Sequence, residues 1–224
     1  MLIVAATAAE IDPLLAALTQ PSTADRRLRS CTRGAQDVDV LTTGVGMVAT
    51  AAWSSRVLGM HDYDLALNLG VCGSFDPTIP TGAVVQVISE ELPEMGAEAD
   101  ETFLTLHDLK LLARDDFPFR DGRLVNAEPP AIAALQPLPR VHGITVNTVH
   151  GRDSSIAAVR QRCDPQVETM EGAAFMYACL IRGTPFAEIR AVSNVVEKRN
   201  RAAWKLDEAI GNLNAAALRI IDQA

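Results

Sequence analysis

Glu10, Glu171 and Asn194 are the side chains in this sequence best placed for acid-base chemistry, because each sits where a buried apolar element begins or ends. Glu10 follows the strand-like run Leu2 to Ala6 and opens a helical spacing of Ile11, Leu14, Leu15 and Leu18. Glu171, beside Met170, opens the apolar helix Met170 to Ile181, and Asn194 ends the strand Phe186 to Val192 in Arg190-Ala191-Val192-Ser193-Asn194. Polar groups at the ends of apolar elements are how rigid scaffolds present sites. Each also has an ordinary reading: an acid in a first helical turn complements the helix dipole, and an asparagine suits a turn. No serine or cysteine stands in a nucleophile elbow, the four histidines lack metal-ligand spacing, and Cys31, Cys72, Cys163 and Cys179 are scattered. Covalent and metal-assisted hydrolysis thus find no motif, and acid-base chemistry remains.

The elements that must carry these residues alternate between strand and helix. The spacing predicts strands at 2–6, 37–43, 65–69, 83–89, 142–149 and 186–192, and helices at 10–18, 47–58, 153–160 and 170–181. Asp153 or Ser154 is the expected cap of the third helix. A C-terminal helix over 202–221 has Ala209, Leu213, Ala216, Ala217 and Ile220 on one stripe, which packs it on a sheet. Asn68 to Phe75 reads as a glycine-punctuated turn, and within residues 90–122, where periodicity fades, Met95 to Phe103 reads as an acidic loop. Gly44-Val45-Gly46-Met47-Val48-Ala49 fits G-x-G-x-x-A, yet the following strand ends in Leu69-Gly70 without the acid that a dinucleotide ribose needs.

These 224 residues are 48% hydrophobic and 4% aromatic, enough for one domain over 1–224 with a core of Ala, Val, Leu and Ile. The formal net charge of −8 argues against nucleic acid or an anionic membrane as partner and leaves a small molecule. Arg26, Arg27 and Arg29 form a basic cluster that a solvated face explains. With no basic leader or membrane-length apolar run and no paired cysteines, a cytoplasmic location is expected.

Thr43-Gly44-Val45-Gly46, Asn68-Leu69-Gly70-Val71-Cys72-Gly73, Val167 to Glu171 and Arg190 to Asn194 together resemble the purine nucleoside phosphorylase and nucleosidase superfamily over essentially the whole chain. The similarity is greatest to the nucleosidase branch, which includes the methylthioadenosine/S-adenosylhomocysteine nucleosidases and the futalosine hydrolases of menaquinone biosynthesis. Met95 to Glu98 with Phe103, and Arg190 to Trp204, are similar to the latter. The resemblance implies a three-layer α/β/α fold with a mixed twisted central sheet, a purine nucleoside as ligand, no cofactor, no metal and a homo-oligomer. It further implies that Glu10 activates water, that Glu171 and Met170 hold the ribose, that Cys72, Gly73 and Val45 line the sugar site, and that Val71, Arg190 and Ser193 also contact the substrate. Trp204 falls at a lid position, and His150 or Val149 would flank the base. Arg199 or Arg201 would pair with a carboxylate on the substrate.

The chain departs from the adenine-specific pattern, R-x-x-S-D, in having Asn194 after Arg190 and Ser193. An acid can protonate N7 of departing adenine. An amide instead both donates and accepts, which suits N7 and O6 of a 6-oxopurine. Thr7-Ala8-Ala9-Glu10 carries no phosphate-binding cation, and Val71 stands where a hydroxyl would otherwise meet phosphate or water. Hydrolysis is therefore expected over phosphorolysis.

Overall fold

The computed structural model describes residues 1–19 and 27–224, so Arg26 of the basic cluster lies outside the described residues. In chain order the elements are β1 (Leu2–Ala5), α1 (Ala8–Ala17), β2 (Leu28–Arg33), β3 (Gln36–Thr42), α2 (Met47–Met60), β4 (Ala66–Ser74) and β5 (Val84–Glu91). There follow two short hairpins, β6 (Gly96–Ala99) with β7 (Thr102–Thr105) and β8 (Phe119–Arg120) with β9 (Arg123–Val125). The chain then runs through β10 (Arg140–Thr145), α3 (Asp153–Cys163), β11 (Val167–Thr169), α4 (Gly172–Arg182), β12 (Phe186–Val195) and α5 (Leu206–Ile221).

Alternation along the buried strands divides the core in two. Leu67 and Leu69 of β4 and Ala187, Ile189 and Ala191 of β12 pack with Ile11, Leu14 and Leu15 of α1 and Leu213, Ala217 and Ile220 of α5. The other face, with Ala66, Cys72, Phe186 and Val192, meets Val57 and Leu58 of α2 and Ala173, Phe175 and Met176 of α4. Helices thus cover both faces of a mixed sheet, as expected. The pairing also closes a ring within that sheet: β4 bonds β12, β12 bonds β5, β5 bonds β10, β10 bonds β11, and β11 returns to β4.

Several sequence expectations need correction. Asn68 to Phe75 is not a turn; Asn68 to Ser74 continues β4, paired with β12 on one side and, on the other, with β1 at Asn68 and β11 at Gly73 and Ser74. Gly70 is there for close approach, since a Cβ would stand 2.2 Å from Arg190 Nη1. Met95 to Phe103, expected as a loop, forms most of the β6–β7 hairpin, and the β8–β9 hairpin follows it. Strand β2, whose buried side chain is Cys31 alone, gave no apolar alternation to read. Helix α3 is preceded by Arg152 at its cap position, not by Asp153 or Ser154.

Helix α1 is held near its N-terminal end by a residue far away in sequence. Pro13 lies inside it, and Asn214 of α5 accepts from the Leu14 N–H at 2.9 Å while donating to the Glu10 carbonyl at 2.8 Å. Those two backbone groups lie one helical turn apart, so the buried amide spans a rung of the ladder. Asn214→Ala removes both bonds and is expected to cost about 1–3 kcal/mol of stability. Urea unfolding checks this; an unchanged midpoint contradicts it.

Candidate active site

At the carboxyl ends of β1, β4 and β12 the helix starts draw back and leave a cavity of about 330 Å³. Such crevices are where open α/β sheets take ligands. Ten of the eleven candidate side chains line it: Glu10 and Val45 on one wall, Val71, Cys72 and Gly73 from β4, Met170 and Glu171 before α4, and Ser193, Asn194 and Trp204 from β12 and beyond. Ile210 and Leu206 of α5 close the apolar side.

Glu10 is held by three donors. The Thr7 N–H and hydroxyl each reach its Oε2 at 3.0 Å, and the Val71 N–H reaches Oε1 at 3.3 Å. Burial pushes its carboxyl above the ordinary value, with Glu171 adding to the rise and Arg190 and Thr7 opposing it. A carboxylate displaced upward by desolvation accepts a proton more readily than an exposed one.

Glu171 caps the start of α4 from outside the helix, with φ −131° and ψ −25°. Its Oε1 accepts the Gly46 N–H at 3.0 Å, and Oε2 faces Arg190 Nη1 at 3.6 Å. Gly46 has φ +95°, a conformation that glycine adopts without strain. The glycines of the G-x-G-x-x-A segment therefore turn a backbone donor toward a carboxylate of the same chain.

Arg190 is the candidate that the cavity excludes. Only 1% exposed, it lies beneath the floor, so the expectation that it touches ligand is corrected. Its Nε donates to Glu188 Oε1 at 2.8 Å, its Nη2 donates to Asn68 Oδ1, and its Nη1 faces Glu171. It supports the wall because β12 points residues 188 and 190 to the same side.

Ser193 Oγ donates to Asn194 Oδ1 at 2.9 Å and also lies 3.1 Å from the Cys72 carbonyl. Asn194 Nδ2 donates to the Val195 carbonyl at 2.9 Å, which fixes the amide plane and leaves its second N–H free to bond a ligand. The Cys72 thiol, pushed up to about 12 chiefly by burial, stays neutral beside it. Arg199 stacks over the Trp204 ring with Cζ 5.4 Å from its centroid. Val149 also lines the cavity.

Sequence reasoning missed Glu168. This buried carboxylate lines the cavity, accepts the His150 N–H at 3.1 Å and meets His150 Nδ1 at 2.7 Å. It stands on a three-residue strand, β11, too short for alternation to mark it. The only sequence signal was an acid between apolar neighbours in Val167-Glu168-Thr169-Met170. Among the described residues no cluster of three or more His, Cys, Asp or Glu could hold a metal ion, and no helix is long and apolar enough to cross a membrane.

Comparison with known proteins places this geometry. Residues 1–222 match the family model described as the phosphorylase superfamily. A futalosine hydrolase of Streptomyces coelicolor is 33% identical over 184 residues, covering 80% of this chain and 76% of that protein. One from Acidothermus cellulolyticus is 31% identical over 227 residues, covering 96% and 87%. Among solved structures, the futalosine hydrolase of Helicobacter pylori superposes with a TM-score of 0.81 at 13% identity, covering 100% of this chain and 97% of that one. The chain belongs to the phosphorylase superfamily.

Proposed function

We propose that this protein hydrolyses the N-glycosidic bond of a purine nucleoside, and that the nucleoside is futalosine, cleaved to hypoxanthine and dehypoxanthinylfutalosine. The observation that carries the reading is one cavity that brings Glu10 and Glu171 together with a tethered amide, Asn194. The relatives named futalosine hydrolase support the substrate.

Cleavage of an N-ribosyl bond develops positive charge on the sugar, which buried carboxylates stabilise. Glu171 takes the ribose hydroxyls with its remaining lone pairs, and Met170 packs against the sugar. Glu10 removes a proton from the attacking water; the C–N bond electrons leave with the base. As N7 of the departing hypoxanthine takes up a proton from solvent, to which Glu10 returns the one it removed, Asn194 Oδ1 accepts from N7–H and Nδ2 donates to O6. Cys72, Gly73, Val71 and Val45 fill the sugar side, and Trp204 covers the cavity. Arg199 and Arg201, exposed beside that tryptophan, are cations within reach of the substrate's carboxylate.

We place the enzyme in the cytoplasm, in menaquinone biosynthesis, as a homo-oligomer. Val45, 57% exposed in the cavity wall, and Val48, 83% exposed in the first turn of α2, favour a neighbouring subunit on this side. A methylthioadenosine/S-adenosylhomocysteine nucleosidase of Colwellia psychrerythraea, 26% identical over 211 residues, favours a second reading in which a 6-amino nucleoside is the substrate.

Futalosine, aminofutalosine, inosine and methylthioadenosine, each incubated with and without phosphate, decide among these readings by chromatography of the released base. Hypoxanthine from futalosine without phosphate is expected; a phosphate requirement, or adenine as the preferred product, overturns the proposal. Asn194→Asp is expected to shift preference toward the 6-amino nucleosides, and steady-state kinetics showing an unaltered preference would refute the role of the amide. Glu10→Gln is expected to lower kcat about 10²–10⁴-fold with KM little changed. Because the Glu10 carboxyl is raised and must be ionised to accept a proton, wild-type kcat/KM falls as pH drops through a point above its ordinary value.

A further inference from the structure

We propose that Glu90 and Glu188 share one proton inside the strand ring, and that the single negative charge of this pair positions Glu171 and Glu10 by holding Arg190 away from them. The positioning half of this proposal rests on the roles assigned above to Glu10 and Glu171; the shared proton does not.

The two carboxyl groups meet over Gly172, the first residue of α4. A Cβ there would stand 2.3 Å from Glu90 Oε1 and 2.4 Å from Glu188 Oε1, so only glycine leaves room for both. Both residues are fully buried, with their oxygens crowded over the same glycine. Two ionised carboxylates so placed repel each other, and neither has a hydrogen to give the other. Glu188 Oε2 otherwise has no partner, although it is shut away from solvent. A proton on Glu90 supplies the missing donor.

The surroundings say which carboxyl holds the proton. Glu188 faces Arg190, whose Nε lies 2.8 Å away. Glu90 has no cation in direct contact. Its Oε2 accepts from the Thr145 hydroxyl at 2.9 Å and its Oε1 lies 3.4 Å from that of Thr169. These hydroxyls in turn accept the Ala173 and Gly172 N–H groups at the start of α4, at 2.7 and 3.1 Å. The neutral Cys72 thiol of β4 and Glu168 of β11 complete the titratable neighbours. Burial, with the Glu188 charge next, pushes the Glu90 carboxyl well above its ordinary value, and Arg190 only partly offsets this.

The consequence reaches the cavity through Arg190. Glu188 and Asn68 hold two sides of the guanidinium, so its Nη1 stays 3.6 Å from Glu171, beyond a hydrogen bond. Glu171 is thereby left without a close cation bond, and its lone pairs remain open to hydroxyls. Without the charge on Glu188, the same guanidinium would be drawn onto Glu171 and Glu10, the other carboxylates that act on it.

Infrared difference spectra of wild type and Glu90→Gln at neutral pH test the shared proton without any substrate. A protonated-carboxyl stretch present in the wild type and missing from the variant is expected; identical spectra in that region overturn the pair. Thermal melts provide the linked readout. A carboxyl raised in the native state binds its proton more tightly there, so stability is highest below the ordinary carboxylate value and falls as pH rises toward the raised one. Glu90→Gln is expected to flatten that decline, and an unchanged slope counts against the proposal.

Steady-state kinetics of Glu188→Gln test positioning, using whichever nucleoside the substrate panel shows to be cleaved. KM is expected to rise at least about tenfold with a smaller change in kcat. The acid limb of kcat/KM should move to lower pH as Arg190 favours ionised Glu10 more strongly. A merely structural defect would not move that limb. Unaltered KM and acid limb in the folded variant overturn the positioning role; if that variant does not fold, Glu188→Asp, which keeps the charge but withdraws it by one methylene, must raise KM. If no nucleoside is cleaved, the proposed function fails while the infrared result still decides the pair.

Discussion

The buried guanidinium of Arg190 is the constraint around which this molecule is arranged. Removing a charge of that size from water costs several kcal/mol even after relaxation, and the cost is met only by well-placed partners. Here the partners come from four separate places: Glu188 on the same strand, Asn68 on β4, Glu171 before α4 and Glu10 at the start of α1. Strand β12 must therefore pair with β4 in one register, Gly70 must lack a side chain to let the guanidinium pass, and α4 must begin where it does. A one-residue slip would turn Glu188 and Arg190 toward the apolar layer of α1 and α5.

This arrangement separates two jobs that are often carried by one residue. Charge is balanced below the floor, where no solvent reaches, while the cavity wall offers groups with spare hydrogen-bonding capacity. Thr7 and the Val71 N–H fix Glu10, Gly46 fixes Glu171, and Ser193 fixes Asn194, each from the protein side of the cavity. Preorganisation of this kind lowers the reorganisation needed when charge develops on a ligand.

Much of this could be read from the sequence, for definite reasons. Helix and strand periods were plain in 2–18, 37–58, 186–192 and 202–221 because those elements are long or have one face buried. Glu10, Glu171 and Asn194 could be picked out because they interrupt apolar runs, and the structure gathers them in one cavity. What stayed hidden involved contacts between distant segments. Arg190 looked like a ligand contact because sequence shows a charge at a strand end but not the carboxylates that surround it. Gly70 and Gly73 looked like turn residues because a glycine that admits a neighbouring side chain is indistinguishable, in one dimension, from a glycine that bends. Glu90 opens the stretch where periodicity fades, yet it is fully buried. Strand β2 bears one buried side chain and gave no pattern at all.

The Asn214 amide, bonded to backbone 204 residues earlier, bears on how the protein comes into being on the ribosome. The first segment, with Glu10, is synthesised long before the helix that clasps it. Contacts of such sequence separation form late, because the loop they close must be ordered first. While the chain is still growing, Glu10 has neither its helical clasp nor the apolar wall of Leu206 and Ile210. The cavity is thus unfinished until nearly all of the chain has emerged, and a chain cut short before α5 would lack one of its walls.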